Sequence, residues 1–313
     1  MEYQLWLNKW LDDYVKPFLK TNTYLTYFSE VRNHIIPYLG LLEIEKIQDV
    51  DIQYCILTLM KKGNKRNNLP LANSHINLII SIIIRSINKY YEIYKNTKIT
   101  LNIQHPKLLN SKIKALSVKE EGKLVDYILE KKKIKYYGFI ICIYTGIRIG
   151  ELLALTWEDI DFDNKLINIH KTIAYCNSQI SVENCFNSPK TPSSIRKVPL
   201  TNFLINIFKQ IKKVSDSDYV ISYKERNKCK RSYQKSFSNL LKKLNIKGHT
   251  FHSTRHTFAT RLLENKVNPK AVSELLGHSN ILTTLKIYSS CFLEEKRKSM
   301  EQLTKKYSSK RII

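Results

Sequence analysis

A scattered set of polar residues between positions 148 and 288 of this 313-residue chain carries the groups needed to open a phosphodiester bond. They are Arg148 in Thr145-Gly-Ile-Arg-Ile-Gly-Glu-Leu152, Lys190, His252 and Arg255 in His252-Ser-Thr-Arg255, His278 in Leu276-Gly-His278, and Tyr288. A guanidinium is planar and permanently charged, so Arg148 and Arg255 could each clamp two phosphate oxygens. His252 stands three residues before Arg255, hence on the same helical face, and could add a single hydrogen bond. An ammonium such as Lys190 could protonate a departing oxygen, a general-acid contribution of roughly 10²–10⁴-fold. Tyr288 offers a nucleophile whose ordinary pKa is about 10. Clustered cations must therefore favour its phenolate, or its proton must leave during attack. Residues so far apart act together only if the fold gathers them around one phosphate.

Each position has a plainer alternative. Arg148 could form a surface ion pair with Glu151, three residues on. Lys171 and Lys197 rival Lys190 as the proton donor, and any of them could be merely solvated. His249, His252 and His256 are dense enough to suggest zinc, but no further cysteine or carboxylate lies nearby in sequence to complete a tetrahedral set. The expectation is therefore no metal, and no cofactor is expected for the protein.

The boxes Thr-Gly-x-Arg-x-Gly-Glu-Leu, His-x-x-Arg-His-Thr, Leu-Gly-His-Ser and a following tyrosine resemble those of the tyrosine recombinase, or phage integrase, family. The resemblance runs in order and spacing from about residue 116 to 290. It implies that Tyr288 forms a 3′-phosphotyrosyl link, that Lys190 sits on a β-hairpin, that His278 bonds the phosphate and buttresses the tyrosine, and that Glu151 supports Arg148 from behind. Two departures are visible: Ser253-Thr254 stands where an Asp-Leu-like pair is usual, and Ser289-Ser290 follows the tyrosine where a histidine is frequent. The implied fold is mainly α with a small β-sheet. A helical SAM-like core-binding domain over residues 1–100 is joined by a linker, 101–117, to a mixed α+β catalytic domain over 118–290, the two forming a C-shaped DNA clamp. A tail over 291–313 would exchange between protomers, anchored by Phe292, Met300 and Leu303. The chain starts directly at the core-binding segment, so binding to distal arm sites is expected to be either lacking or left to another protein.

These residues need elements to hold them. Trp6, Trp10, Leu11 and Tyr14 recur at helical spacing, as do Tyr24, Tyr27, Phe28, Val31 and Ile35. Pro37 and Gly40 are expected to end that second helix, and Tyr27–Gly40 resembles the core-binding domain most. Further helices are expected over Asp49–Met60 and Ala72–Lys95, then over 118–130, 136–145 and 149–154. Strands are expected at Leu166–Ile173, Gln179–Val182 and Ile195–Pro199. Helices return over Asn202–Val214, Ser232–Leu244, from the histidine box to about Leu263, and over 268–276, 281–288 and Glu294–Lys306.

Fifty-two Lys and Arg against 27 Asp and Glu give a net charge of +25, which favours a polyanionic partner. Residues 1–110 carry 14 basic and 9 acidic side chains, and residues 111–313 carry 38 and 18. Lys224, Arg226, Lys228, Lys230, Arg231, Lys235, Lys242 and Lys243 are expected to track the DNA backbone, with a solvated loop and helix face as the bland alternative. Such contacts position a protein without specifying sequence. The six cysteines form no Cys-x-x-Cys pair, so free thiols are expected. No signal peptide is evident, and the longest apolar run, Ile79–Ile84, is too short to span a bilayer. A cytoplasmic protein, nucleoid-associated when bound to DNA, is expected.

The sequence is thus expected to encode a site-specific DNA recombinase serving integration or excision of a mobile element. The resemblance implies double-stranded DNA with paired recombination sites as substrate, a homotetramer passing through a Holliday junction, and an accessory excision or DNA-bending protein as an optional partner. The alternatives are a chromosome-dimer resolving recombinase and a catalytically silent DNA-binding regulator on the same fold.

Overall fold

Apolar residues at helical spacing build a first unit, Met1–Ser111, in the computed structural model, and a second unit occupies Lys112–Ile313. The structure describes residues 1–65, 67–108, 113–173, 186–187, 192–221, 230–291 and 300–301; at 186, 187, 192, 286 and 288–291 it describes the backbone alone.

The first unit consists of α1 (Tyr3–Trp10), α2 (Thr21–Glu30), α3 (Ile36–Leu39), α4 (Asp49–Lys62) and α5 (Asn73–Tyr94). Trp6, Leu7, Ile35, Ile52, Ile79 and Ile83 are fully buried in its core. Burial of each such side chain is worth about 1.5–3 kcal/mol. The polar tips are satisfied inside: Trp6 Nε1 donates to the Ser86 carbonyl at 2.8 Å, and the Tyr3 hydroxyl lies 2.6 Å from Ser86 Oγ. Pro37 does not end the second helix. A wide π-type turn at Val31–Ile35 absorbs it, and the helix continues as α3 until Gly40. Proline removes one backbone donor and crowds the carbonyl four residues back, and widening the preceding turn relieves both.

The expected linker is divided. Its first part lies on unit 1: Asn102 N donates to Asp49 at 3.0 Å, Gln104 N to Gln53 at 3.0 Å, and Ile103 is 9% exposed. Its last part belongs to unit 2, where Leu116 is buried and its N donates to Thr257 Oγ1 at 2.9 Å.

The second unit begins with α6 (Val118–Lys131), α7 (Ile134–Thr145) and α8 (Ile149–Ala154). Among the described residues, five short strands follow: β1 (Ile160–Asp161), β2 (Leu166–Ile169), β3 (Thr172–Ile173), β4 (Phe186–Asn187) and β5 (Arg196–Pro199). They pair antiparallel as β1-β2-β5 and β3-β4, with Ile169 opposite Arg196 and Asn168 opposite Lys197. The helices α9 (Asn202–Lys212), α10 (Lys230–Lys243), α11 (His252–Glu264), α12 (Pro269–Leu276) and α13 (Leu282–Cys291) complete the unit. Phe139, Tyr233, Phe237 and Phe251 form its aromatic centre at edge-on or tilted ring angles. A smaller cluster of Ala259, Leu263, Val272 and Leu276 seats α13 through Ile287. The molecule is mainly helical with a small sheet. The expected strand at Gln179–Val182, the anchors Phe292 and Leu303, and most of the expected helix Glu294–Lys306 lie outside the described residues; Met300 is exposed. No helix among the described residues is long and apolar enough to cross a membrane.

Candidate active site

Two left-handed glycines bring the site together. α7 ends at Gly146 (φ 65°) and α12 ends at Gly277 (φ 63°), a conformation that other residues adopt only under strain. Beyond Gly146 the chain turns directly into α8, with Arg148 as its N-cap residue in extended conformation. Glu151, three residues into that helix, accepts from Arg148 N at 2.9 Å and from Arg148 Nη1 at 2.7 Å. The opposite side of the same guanidinium donates through Nη2 to the Gly277 carbonyl at 2.8 Å. Arg148 is thereby held at both edges, immediately before His278.

Glu151 is only 3% exposed in its side chain, yet it is not paired with Arg148 alone. Arg196, on β5, donates to Glu151 Oε2 at 3.0 Å through Nη2 and to Oε1 at 3.2 Å through Nη1. Arg196 Nε also reaches the Leu275 carbonyl at 2.6 Å. Burial pushes the Glu151 carboxyl up, but Arg196 and then Arg148 outweigh it and leave its pKa below the ordinary value. Sequence reasoning missed Arg196. The only signal was its position six residues after Lys190 in a segment already singled out, and its partner lies 45 residues away. Glu151→Ala leaves the buried Arg196 without a counter-ion, so a loss of about 3–5 kcal/mol in unfolding free energy is expected by urea denaturation.

Arg255 comes from the first turn of α11 and is 4% exposed. Its Nη1 donates to the Gly146 carbonyl at 2.8 Å, while its buried Nη2 meets no hydrogen-bond partner among the described residues. Burial and then Arg148 lower its pKa to about 9, so it remains charged at neutral pH. Ser253 and Thr254 are buried and capped into the preceding turn, with Ser253 Oγ accepting from Thr250 N and Thr254 Oγ1 donating to the Phe251 carbonyl. They leave His252 and Arg255 to the candidate site.

His278 Nδ1 lies 2.9 Å from Thr284 Oγ1, which fixes the ring and leaves Nε2 for a ligand. Burial, then Arg255, Arg148, His252 and Arg196, push His278 down to about 4. Burial, Arg255, His256 and Arg148 likewise lower His252. Four expected site residues, Arg148, His252, Arg255 and His278, are thus close enough to disturb one another's charge. The His278 shift has a sign for stability. Between about pH 4 and 6.5 the unfolded chain binds a proton that folded His278 refuses. Its contribution is fully present above 6.5 and lost as pH falls toward 4. Urea midpoints should therefore fall on acidification through that window, less steeply in His278→Gln.

Tyr288 lies on α13 one turn after Thr284, with only its backbone described. Lys190, Lys224, Arg226 and Lys228 lie outside the described residues. Of the two rivals to Lys190, Lys171 is tied to Asp159 at 2.9 Å and Thr156 at 2.7 Å, whereas Lys197 is exposed. Lys230 begins α10, and its ammonium lies against Gly150, where a Cβ would come within 2.9 Å of Nζ. Arg231, Lys235, Lys242 and Lys243 are exposed along α10, with Lys243 over the Tyr127 ring at 5.3 Å. His249, from the histidine-rich stretch, has Nδ1 3.2 Å from the Lys114 carbonyl and Nε2 3.5 Å from Glu120.

Comparison with known proteins identifies the family. The phage integrase family profile matches residues 114–294, and its N-terminal SAM-like domain matches residues 3–60. The chain belongs to the phage integrase family of tyrosine recombinases. Members of this family are enzymes that cut and rejoin DNA. A tyrosine recombinase XerC-like protein of Caldanaerobacter subterraneus subsp. tengcongensis is 28% identical over 95% of this chain and 81% of its own length. The integrase of Staphylococcus phage L54a is 30% identical over 70% of this chain and 69% of its own. Among solved structures, the Tn1549 transposon integrase (residues 82–397) in complex with transposon right end DNA superposes with a TM-score of 0.78. At 24% identity it covers 97% of this chain and all of that one, and it supports the fold.

Proposed function

We propose that this recombinase acts site-specifically on double-stranded DNA of a mobile element, integrating or excising it through a 3′-phosphotyrosyl intermediate at Tyr288. The observation that carries the reading is the buried Arg255 Nη2, a charged donor with no described partner, beside Arg148, His252 and His278. A buried charged donor left without an acceptor is costly, and one phosphate oxygen satisfies it.

In this mechanism Arg148 and Arg255 hold the non-bridging oxygens of the scissile phosphate, with His252 and His278 adding single hydrogen bonds. Tyr288 Oη gives its proton to solvent water as it attacks phosphorus, and the phosphorus–O5′ bond breaks. Lys190 protonates the departing O5′, releasing a 5′-hydroxyl. A 5′-hydroxyl from the partner duplex then attacks the phosphotyrosine and restores both the phosphodiester and the tyrosine. One phosphodiester replaces another, so the exchange stores the bond energy and calls for no ATP. Glu151 and Arg196 touch no substrate in this scheme; they position Arg148.

The basic residues of α10 and of the segment before it would follow the DNA backbone, and four protomers would assemble on two duplexes. The element-mobilising role rests on likeness to phage and transposon integrases. A chromosomal role is the second reading, favoured by the long match to the XerC-like relative. Covalent trapping tests the chemistry. The protein is incubated with nicked DNA from its own element's ends and denatured in SDS, and a DNA-linked band is expected. Specific binding without such a band would indicate a silent regulator instead.

A further inference from the structure

The first unit contains a side-chain cluster that strand exchange does not use. Glu30 ends α2, His34 follows one turn later, and His75 comes from the first turn of α5. One ligand atom from each lies within 4.8 Å of the other two. The same carboxylate oxygen, Glu30 Oε2, is 2.7 Å from His75 Nε2 and 3.8 Å from His34 Nε2. The two imidazole rings stand nearly perpendicular, at 83°, with centroids 5.5 Å apart. The side chains of Glu30, His34 and His75 are 10%, 12% and 34% exposed, so the group is sheltered but reachable.

A hydrogen-bonded carboxylate–imidazole pair would account for Glu30 and His75 alone. It does not call for a second imidazole edge facing the same oxygen at 3.8 Å, beyond hydrogen-bond range. Two imidazole nitrogens and a carboxylate oxygen are the donor set of three-ligand zinc sites, where water takes the fourth position. Calcium and magnesium favour all-oxygen sets. Around a tetrahedral zinc ion the donors stand about 3.3 Å apart, so shifts on the order of 1 Å bring these three into place. Cys55 is nearby but directs its thiol to the His34 carbonyl oxygen at 3.7 Å, leaving sulfur out of the set.

We infer that Glu30, His34 and His75 form a divalent-cation site of zinc type that fastens the end of α2 to the start of α5. The inference does not depend on the reaction proposed above. The full-length chain, stripped with chelator, is dialysed to equilibrium against Zn²⁺ alone, and one retained equivalent per chain is expected. Cobalt substitution should give the visible absorption of a tetrahedral site with no sulfur-to-metal charge-transfer band. His75→Asn and Glu30→Gln should each weaken retention by about 100-fold or more. Three results would each overturn the site: no retained equivalent, a cobalt spectrum carrying the sulfur band, or retention unchanged in His75→Asn. The cobalt spectrum is read on the unaltered protein, so a variant that fails to fold does not blur the answer.

Discussion

Tyr288→Phe is expected to abolish the SDS-resistant protein–DNA adduct and to slow single-turnover strand cleavage by about 10⁴-fold or more. The substitution keeps the ring and the helical backbone of α13 and removes only the oxygen that would bond to phosphorus. Affinity for the recombination site should remain within about threefold, because phosphate contacts from arginine and lysine supply most of the binding free energy. The variant therefore separates chemistry from recognition. If the adduct forms at the wild-type rate, the nucleophile is another of the chain's 19 tyrosines and the assignment fails.

The second large effect is expected at Arg255. Arg255→Ala removes the donor that the proposed mechanism places on the transition-state phosphate, and such a loss costs about 10²–10³-fold in rate. Its effect on stability should be small, within about 1 kcal/mol. The lost hydrogen bond to the Gly146 carbonyl is offset by removal of a buried charge that lies against Arg148 and has one unsatisfied nitrogen. Arg255→Lys keeps the charge but cannot span Gly146 and a phosphate oxygen with one fork, so a rate closer to alanine's than to arginine's is expected. Parallel urea melts and cleavage rates give the split. A variant that loses stability in proportion to activity would make Arg255 a structural residue.

Much of this was legible in the sequence because its signals are local. Arg148 and Glu151 stand at the N-cap and third helical position of α8, which spacing alone relates, and Gly146 and Gly277 mark helix ends by the backbone conformation they permit. His252 and Arg255 share a helical face by count. The helices followed from apolar spacing, within a residue or two at most ends. Arg196 was not legible, because its meaning comes from Glu151, and that pairing is made by the fold across 45 residues. The wide turn before Pro37 was missed because proline reads as a stop when the chain has no room to widen, and here it had room. The packing of residues 102–104 against α4 depends on backbone donors finding Asp49 and Gln53, which composition does not reveal.

The way Arg148 is held has a consequence for how the enzyme comes into being. Its guanidinium joins a carbonyl 129 residues further along the chain, and Arg255 reaches back 109 residues to the Gly146 carbonyl. Loops of that length close slowly relative to the helices they connect. A chain emerging from the ribosome folds its N-terminal unit first, so it holds the helices of that unit long before the candidate site can form. Arg148 has Glu151 beside it from the start but lacks its second anchor until Gly277 has been made, and Tyr288 follows only eleven residues later. On the proposed mechanism, a product interrupted before Tyr288 is therefore chemically inert, and the power to cut arrives only with the last parts of the site.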